Sequence, residues 1–119
     1  MGGRDKVKVA VVQAAPVFMD KASTIEKACA LIREAGRNGA ELIAFPETFI
    51  PGYPAIYTGG WESKPSEWAP YMIALQDNSL LVNSEDTEIL GEAVREANAY
   101  AVIGCNELDD RQGSRTIYN

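Results

Sequence analysis

The stretch Leu42-Ile43-Ala44-Phe45-Pro46-Glu47-Thr48-Phe49-Ile50-Pro51-Gly52-Tyr53-Pro54 holds an unbroken apolar run, a proline stop, one carboxylate and a proline-rich loop. Leu42 to Phe45 reads as a buried strand of a sheet covered on both faces, because such strands lack polar alternation. Pro46 has no N–H for a sheet ladder, so the strand ends there. Glu47 then stands at the C-terminal end of a strand, where α/β folds gather their ligand sites. Pro51 and Pro54 each fix φ and disfavour helix in the residue before them, which predicts a stiff loop. A carboxylate on a stiff loop suits general base chemistry, which needs a fixed orientation. On spacing alone, a solvated surface charge followed by proline punctuation fits the same residues.

The flanking sequence predicts an α/β order. Val7 to Ala14 is β-branched and apolar apart from Lys8 and Gln13, and reads as a central strand; Pro16 to Asp20 is the turn out of it. A helix is expected over about Lys21 to Arg37. Asp20 is one candidate N-cap, and Ser23 with Glu26 forms a competing capping box. Ile25, Ala28, Cys29, Leu31, Ile32 and Ala35 mark its apolar face, and Gly39 suits the residue past its end. Cys29 reads as a small buried hydrophobe.

The segment Thr58-Gly59-Gly60-Trp61-Glu62-Ser63 reads as an irregular surface excursion without phosphate-loop spacing. Ser66 to Gln76 is expected as a short helix. Its stripe of Trp68, Tyr71, Met72 and Leu75 reads as core, with a pocket wall or subunit contact as the second reading. Ser84 caps the next helix, whose buried stripe is Ile89, Leu90, Ala93, Val94 and Ala97. Ala101 to Cys105 is a strand, Asp109 to Gly113 a hairpin with the Asp pair at a solvated tip, and Thr116 to Asn119 another strand.

Composition narrows the chemistry. The 119 residues carry a net charge of −6, which argues against nucleic acid, since phosphate binding needs clustered Lys and Arg. There is no histidine, which removes Ser-His-Asp and Cys-His catalysis and most zinc sites from this chain. Cys29 and Cys105 are far apart and form no metal-binding pair; two lone thiols fit a reducing cytoplasm. No apolar stretch approaches the length of a membrane span. Gln13 and Pro16 interrupt the N-terminal apolar run too early for a signal peptide, and Lys6 spoils a myristoylation start at Met1-Gly2.

The residues from Phe45 to Pro54 resemble the first signature segment of the nitrilase family, within the carbon-nitrogen hydrolase superfamily. Val9 to Pro16 resembles the family's first strand and Gly39 to Ile43 the approach to its second. Val102 to Glu107 and Thr116 to Asn119 resemble its third strand and the start of its fourth. The resemblance implies an α-β-β-α sandwich, in which two sheets face each other between outer helices. It also implies a Glu-Lys-Cys catalytic set in which Glu47 matches the Glu, with no metal or organic cofactor. No residue here matches the Lys or the Cys, whose segments lie beyond Tyr118-Asn119 in the family. Residues 1–119 are therefore expected to be the N-terminal part of one incomplete hydrolase domain, inactive by itself.

The implied reaction converts a small nitrile to a carboxylic acid and ammonia through a Cys thioimidate and acyl-enzyme, with Glu47 as general base. The continuation Ile50-Pro51-Gly52-Tyr53-Pro54 resembles the nitrile branch more than the amidase and carbamoylase branch, which remains the alternative, as does a non-catalytic truncated product. Tyr53 either lines the substrate pocket or packs in the proline-rich turn. The resemblance further implies homo-oligomers of the full-length form.

Overall fold

Leu42–Ala44, the run that Pro46 cuts short, is the middle strand of a three-stranded parallel sheet. The computed structural model describes residues 6–53 and 64–119. The expected excursion over residues 58–63, the loop proline Pro54 and the Met1-Gly2 start lie outside them. In chain order the elements are β1 (Val9–Val11), α1 (Lys21–Arg37), β2 (Leu42–Ala44), α2 (Pro65–Asp77), α3 (Glu85–Ala97), β3 (Tyr100–Val102), β4 (Glu107–Leu108) and β5 (Ile117–Tyr118). The sheet runs β1-β2-β3, and β4 and β5 pair as an antiparallel hairpin. None of the described helices is long and apolar enough to cross a membrane.

Helix α1 has the bounds that its pattern predicts, and its start resolves the competition between caps. The Ser23 backbone N–H donates to Asp20 Oδ1 at 2.9 Å, and the Ser23 hydroxyl donates to Asp20 Oδ2 at 2.8 Å. Asp20 is therefore the N-cap, and Ser23 supports it rather than replacing it. These bonds hold the Asp20 carboxyl below its usual range. Gly39 follows the helix with φ of +82°, where a side chain would be strained.

Parallel pairing sets Ala10, Ile43 and Ala101 side by side on one face of the sheet. That face packs on α1 through Ile25, Ala28 and Ile32, and on α3 through Leu90 and Ala93. Period-two alternation sends Val11, Ala44 and Val102 to the opposite face. There Val11 is 77% exposed, Tyr100 80% and Val102 63%. Two expectations are thus corrected. Among the described residues the sheet is covered on one face only, and β1 is an edge strand, shorter than Val7 to Ala14. Strand β2 is the central one.

The helix over residues 66–76 is present as α2, but its stripe is not core. Leu75 is buried, Trp68 and Tyr71 are half-buried, and Met72 is exposed. Helical spacing identified the element and not what it faces. In α3, Ser84 stands at the N-cap, where its N–H donates to Thr87 Oγ1 at 3.0 Å; Leu90 and Ala93 are buried while Ile89 is exposed. The Asp109-Asp110 pair also divides. Asp110 is exposed, whereas the Asp109 side chain is 5% exposed beneath the Arg111 guanidinium. Asp109 accepts from Arg111 and from the Ser114 hydroxyl, so it ties the hairpin together rather than hydrating its tip.

Candidate functional site

Glu47 follows β2 by three residues, and the backbone around it is fastened from two sides. On one side lies the segment from Tyr100 to Leu108. Phe45 N–H donates to the Val102 carbonyl at 2.9 Å and Ile50 N–H to the Gly104 carbonyl at 3.2 Å; Asn106 N–H returns a bond to the Ile50 carbonyl at 2.8 Å. On the other side the Met19 N–H donates to the Pro51 carbonyl at 3.0 Å. The turn closes on itself through Gly52 N–H to the Thr48 carbonyl at 2.9 Å, with Ile50-Pro51 in the cis form.

Side chains complete the anchorage. Phe49, Ile50 and Pro51 are fully buried, and the Phe45 and Phe49 rings meet edge to face at 5.0 Å. Gly52, at φ of +113°, lies where a Cβ would come within 3.0 Å of the Phe18 ring. Thr48 takes φ of +50°, an uncommon conformation for a β-branched residue. This rigid turn leaves Pro46 and Glu47 exposed while Thr48, Phe49 and Ile50 are buried.

The carboxylate has one hydrogen-bond partner among the described residues. Asn119 Nδ2 donates to Glu47 Oε1 at 2.9 Å. A groove of about 520 Å³ opens at the C-terminal ends of β1 and β2, lined by residues 11–15 and 44–46 and not by Glu47 itself. The groove is mostly apolar, and Glu47 is the next residue along the chain from Pro46 in its wall. Tyr53 is 64% exposed and is the last described residue before position 64.

Neither thiol faces this arrangement as an activated nucleophile. Cys29 sits in the helix layer, 3% exposed, with its Sγ 3.8 Å from the Ile89 carbonyl oxygen. Burial pushes its pKa up, against the smaller opposing effect of Arg33. Cys105 is half-buried in the segment that backs the Glu47 loop; burial raises its pKa, and Glu107 adds to the rise. Both thiols are free.

Sequence reasoning singled out Glu47 and did not single out two residues that the structure places against it. Gly104 lies so close to the loop that its partners are backbone atoms of Pro46, Glu47 and Thr48. Asn119 reaches Glu47 from 72 residues away. Only the single glycine in an otherwise apolar strand was a local signal for close backbone approach.

The carbon-nitrogen hydrolase family model matches residues 8–119. Over 103 residues the chain is 44% identical to an aliphatic nitrilase of Rhodococcus rhodochrous, covering 86% of this chain and 27% of that protein. It is 39% identical over 104 residues to a nitrilase of Pseudomonas syringae pv. syringae, covering 87% and 30%. An arylacetonitrilase of Hypocrea virens is 45% identical over 101 residues, covering 85% and 29%. The chain spans less than a third of the length of these relatives.

Proposed function

The chain belongs to the carbon-nitrogen hydrolase family, and from that premise we propose that it forms the N-terminal part of a nitrile-hydrolysing domain in which Glu47 is the general base. The observation that carries the assignment of Glu47 is its position: an outward carboxylate on a turn fastened from both sides, one residue past the last lining residue of an apolar groove at the strand ends. A base that works by proton transfer needs that constraint, because the transfer depends on hydrogen-bond reach. The nitrile substrate is supported by relatives named aliphatic nitrilase and arylacetonitrilase.

In the proposed reaction, Glu47 takes the proton of a cysteine thiol supplied by another part of the complete domain. The thiolate attacks the nitrile carbon and gives a thioimidate. Glu47 then draws a proton from water; water adds, ammonia leaves, and a second water releases the carboxylic acid from the acyl-enzyme. A lysine of that same complete domain stabilises the developing negative charge. This is nucleophilic catalysis with a positioned base. Cys29 and Cys105 are not the nucleophile in this reading, since burial raises both thiols. Residues 1–119 alone are proposed to turn over no nitrile. Tyr53 is proposed to wall the substrate pocket, which its exposure beside the loop supports. Cytoplasmic location and homo-oligomerisation of the complete protein belong to the same reading.

The test is ammonia release by the complete hydrolase from an aliphatic nitrile, from phenylacetonitrile and from the corresponding amides. Release from a nitrile, lost in Glu47→Gln, is expected. Turnover of amides alone would transfer the protein to the amidase branch, and silence on all substrates would refute the catalytic reading.

A further inference from the structure

We propose that Asn119 is a positioning residue for Glu47, whose carboxamide holds one carboxylate oxygen so that the other is presented as proton acceptor. This rests on the reading of Glu47 as the base. The backbone anchors described above fix the Cα of Glu47; they do not fix its carboxylate. A glutamate side chain that projects outward samples several rotamers, and ordering it requires a partner. Asn119 Nδ2, donating to Oε1 at 2.9 Å, is that partner. Both residues are exposed, so close packing does not force the contact.

The chemistry of the donor fits the task. A lysine or arginine at this position would also orient the carboxylate, but an adjacent cation lowers a carboxyl pKa by about 1–3 units and weakens the base. A neutral carboxamide orients without adding charge, and it neither gives up nor takes a proton in the working range. Its placement is equally specific. Asn119 directly follows β5, which pairs with β4 through Glu107 and Leu108. Strand β4 continues from Gly104 and Asn106, the residues that back the Glu47 loop. One stretch of chain therefore fixes the backbone of Glu47 at Gly104 and its carboxylate at Asn119.

The experiment compares Asn119→Ala, Asn119→Asp and Glu47→Gln in the complete hydrolase, with a nitrile it turns over, and reads kcat, KM and the fraction of folded protein separately. Asn119→Ala is expected to lower kcat by roughly ten- to a hundred-fold, in the range seen when a reacting group is misplaced. Its KM should change less than about two-fold, since ground-state binding is untouched. Asn119→Asp keeps the shape but replaces the donor by a second carboxylate, so it should lower kcat at least as much, with KM again little changed. Wild-type kcat in both Asn119 variants, with Glu47→Gln inactive, would overturn this role and leave the base assignment standing. Loss of kcat that only tracks loss of folded protein, or that comes with an equal change in KM, would reduce Asn119 to a structural contact. A fully active Glu47→Gln would remove the base and the role of Asn119 with it.

Discussion

A Cβ built on Gly104 would stand 2.7 Å from Glu47 Cα, and 2.3 Å from the preceding carbonyl oxygen of Pro46. Real Cβ atoms do not approach backbone so closely, and neither contact is with a side chain that can swing aside. The absence of a side chain at position 104 is thus a condition for the position of Glu47.

Gly104→Ala should therefore push the Glu47 turn off the segment between β3 and β4 that backs it. Overpacking of this kind costs about 1–3 kcal/mol. The thermal midpoint should fall, and nitrile turnover by the complete hydrolase should fall further than the loss of folded protein explains. Unchanged stability and kcat in the Gly104→Ala variant would show that the segment and the turn are not held in this contact.

Glu47→Gln keeps size and removes the base, and Glu47→Asp keeps charge but withdraws it by one methylene. If Glu47 transfers protons, kcat in the complete hydrolase should fall by roughly a hundred- to ten-thousand-fold in the Gln form, with the fold intact by circular dichroism. The Asp form should also be severely impaired, because the turn cannot advance to restore reach. Near-normal kcat in Glu47→Asp would refute the base.

The raised pKa values of the two thiols predict slow chemistry in the folded chain. A thiol-specific alkylating reagent near pH 7 should modify Cys29 more slowly than Cys105, and both at least roughly ten-fold more slowly than in denaturant, through fewer thiolates and blocked access. Mass spectrometry of a time course reads this directly. Rapid modification of Cys29 would mean that the α1–α3 layer opens readily.

Asp109 sets a pH dependence. Arg111 and Ser114 hold its carboxyl well below the ordinary carboxylate range. A depressed folded-state pKa contributes stability that is fully present above the unfolded value, near 3.8, and is lost as pH falls through the lower folded value. The β4–β5 hairpin should therefore stay anchored through mildly acidic conditions and loosen only in strong acid. In Asp109→Asn the hairpin should be weaker at neutral pH and its acid sensitivity reduced, which amide exchange at Leu108 and Ile117 would report. Equal exchange in both proteins at pH 7 would discount the anchor.

The parts of this fold that were legible in the sequence are those specified by neighbours. Asp20, the apolar period from Ile25 to Ile32 and Gly39 bound α1 without reference to anything distant. Pro46 ends β2 for a reason contained in its own ring. Pattern alone misjudged what each surface meets. Val9 and Val11 are good strand residues, but β-branched content reports a surface suited to a sheet, not how many strands flank it. The stripe of α2 has helical period, and nothing local says that Met72 points outward. At the candidate site, the place of Glu47 just past a strand end was legible because Pro46 stops β2. Asn119 was not, because a hydrogen bond across 72 residues leaves no local trace.

That separation has a consequence in time. Synthesis adds about 5–20 residues per second. Spread over 72 residues, this leaves the Glu47 carboxylate without its partner for roughly 4–14 s after it has been made. Strands β1 and β2 and helix α1 are complete well before then, so the scaffold is available while the acid remains unfastened. The order of emergence from the ribosome places the orientation of Glu47 after the docking of α1, and substitutions near Asn119 should register in that later step.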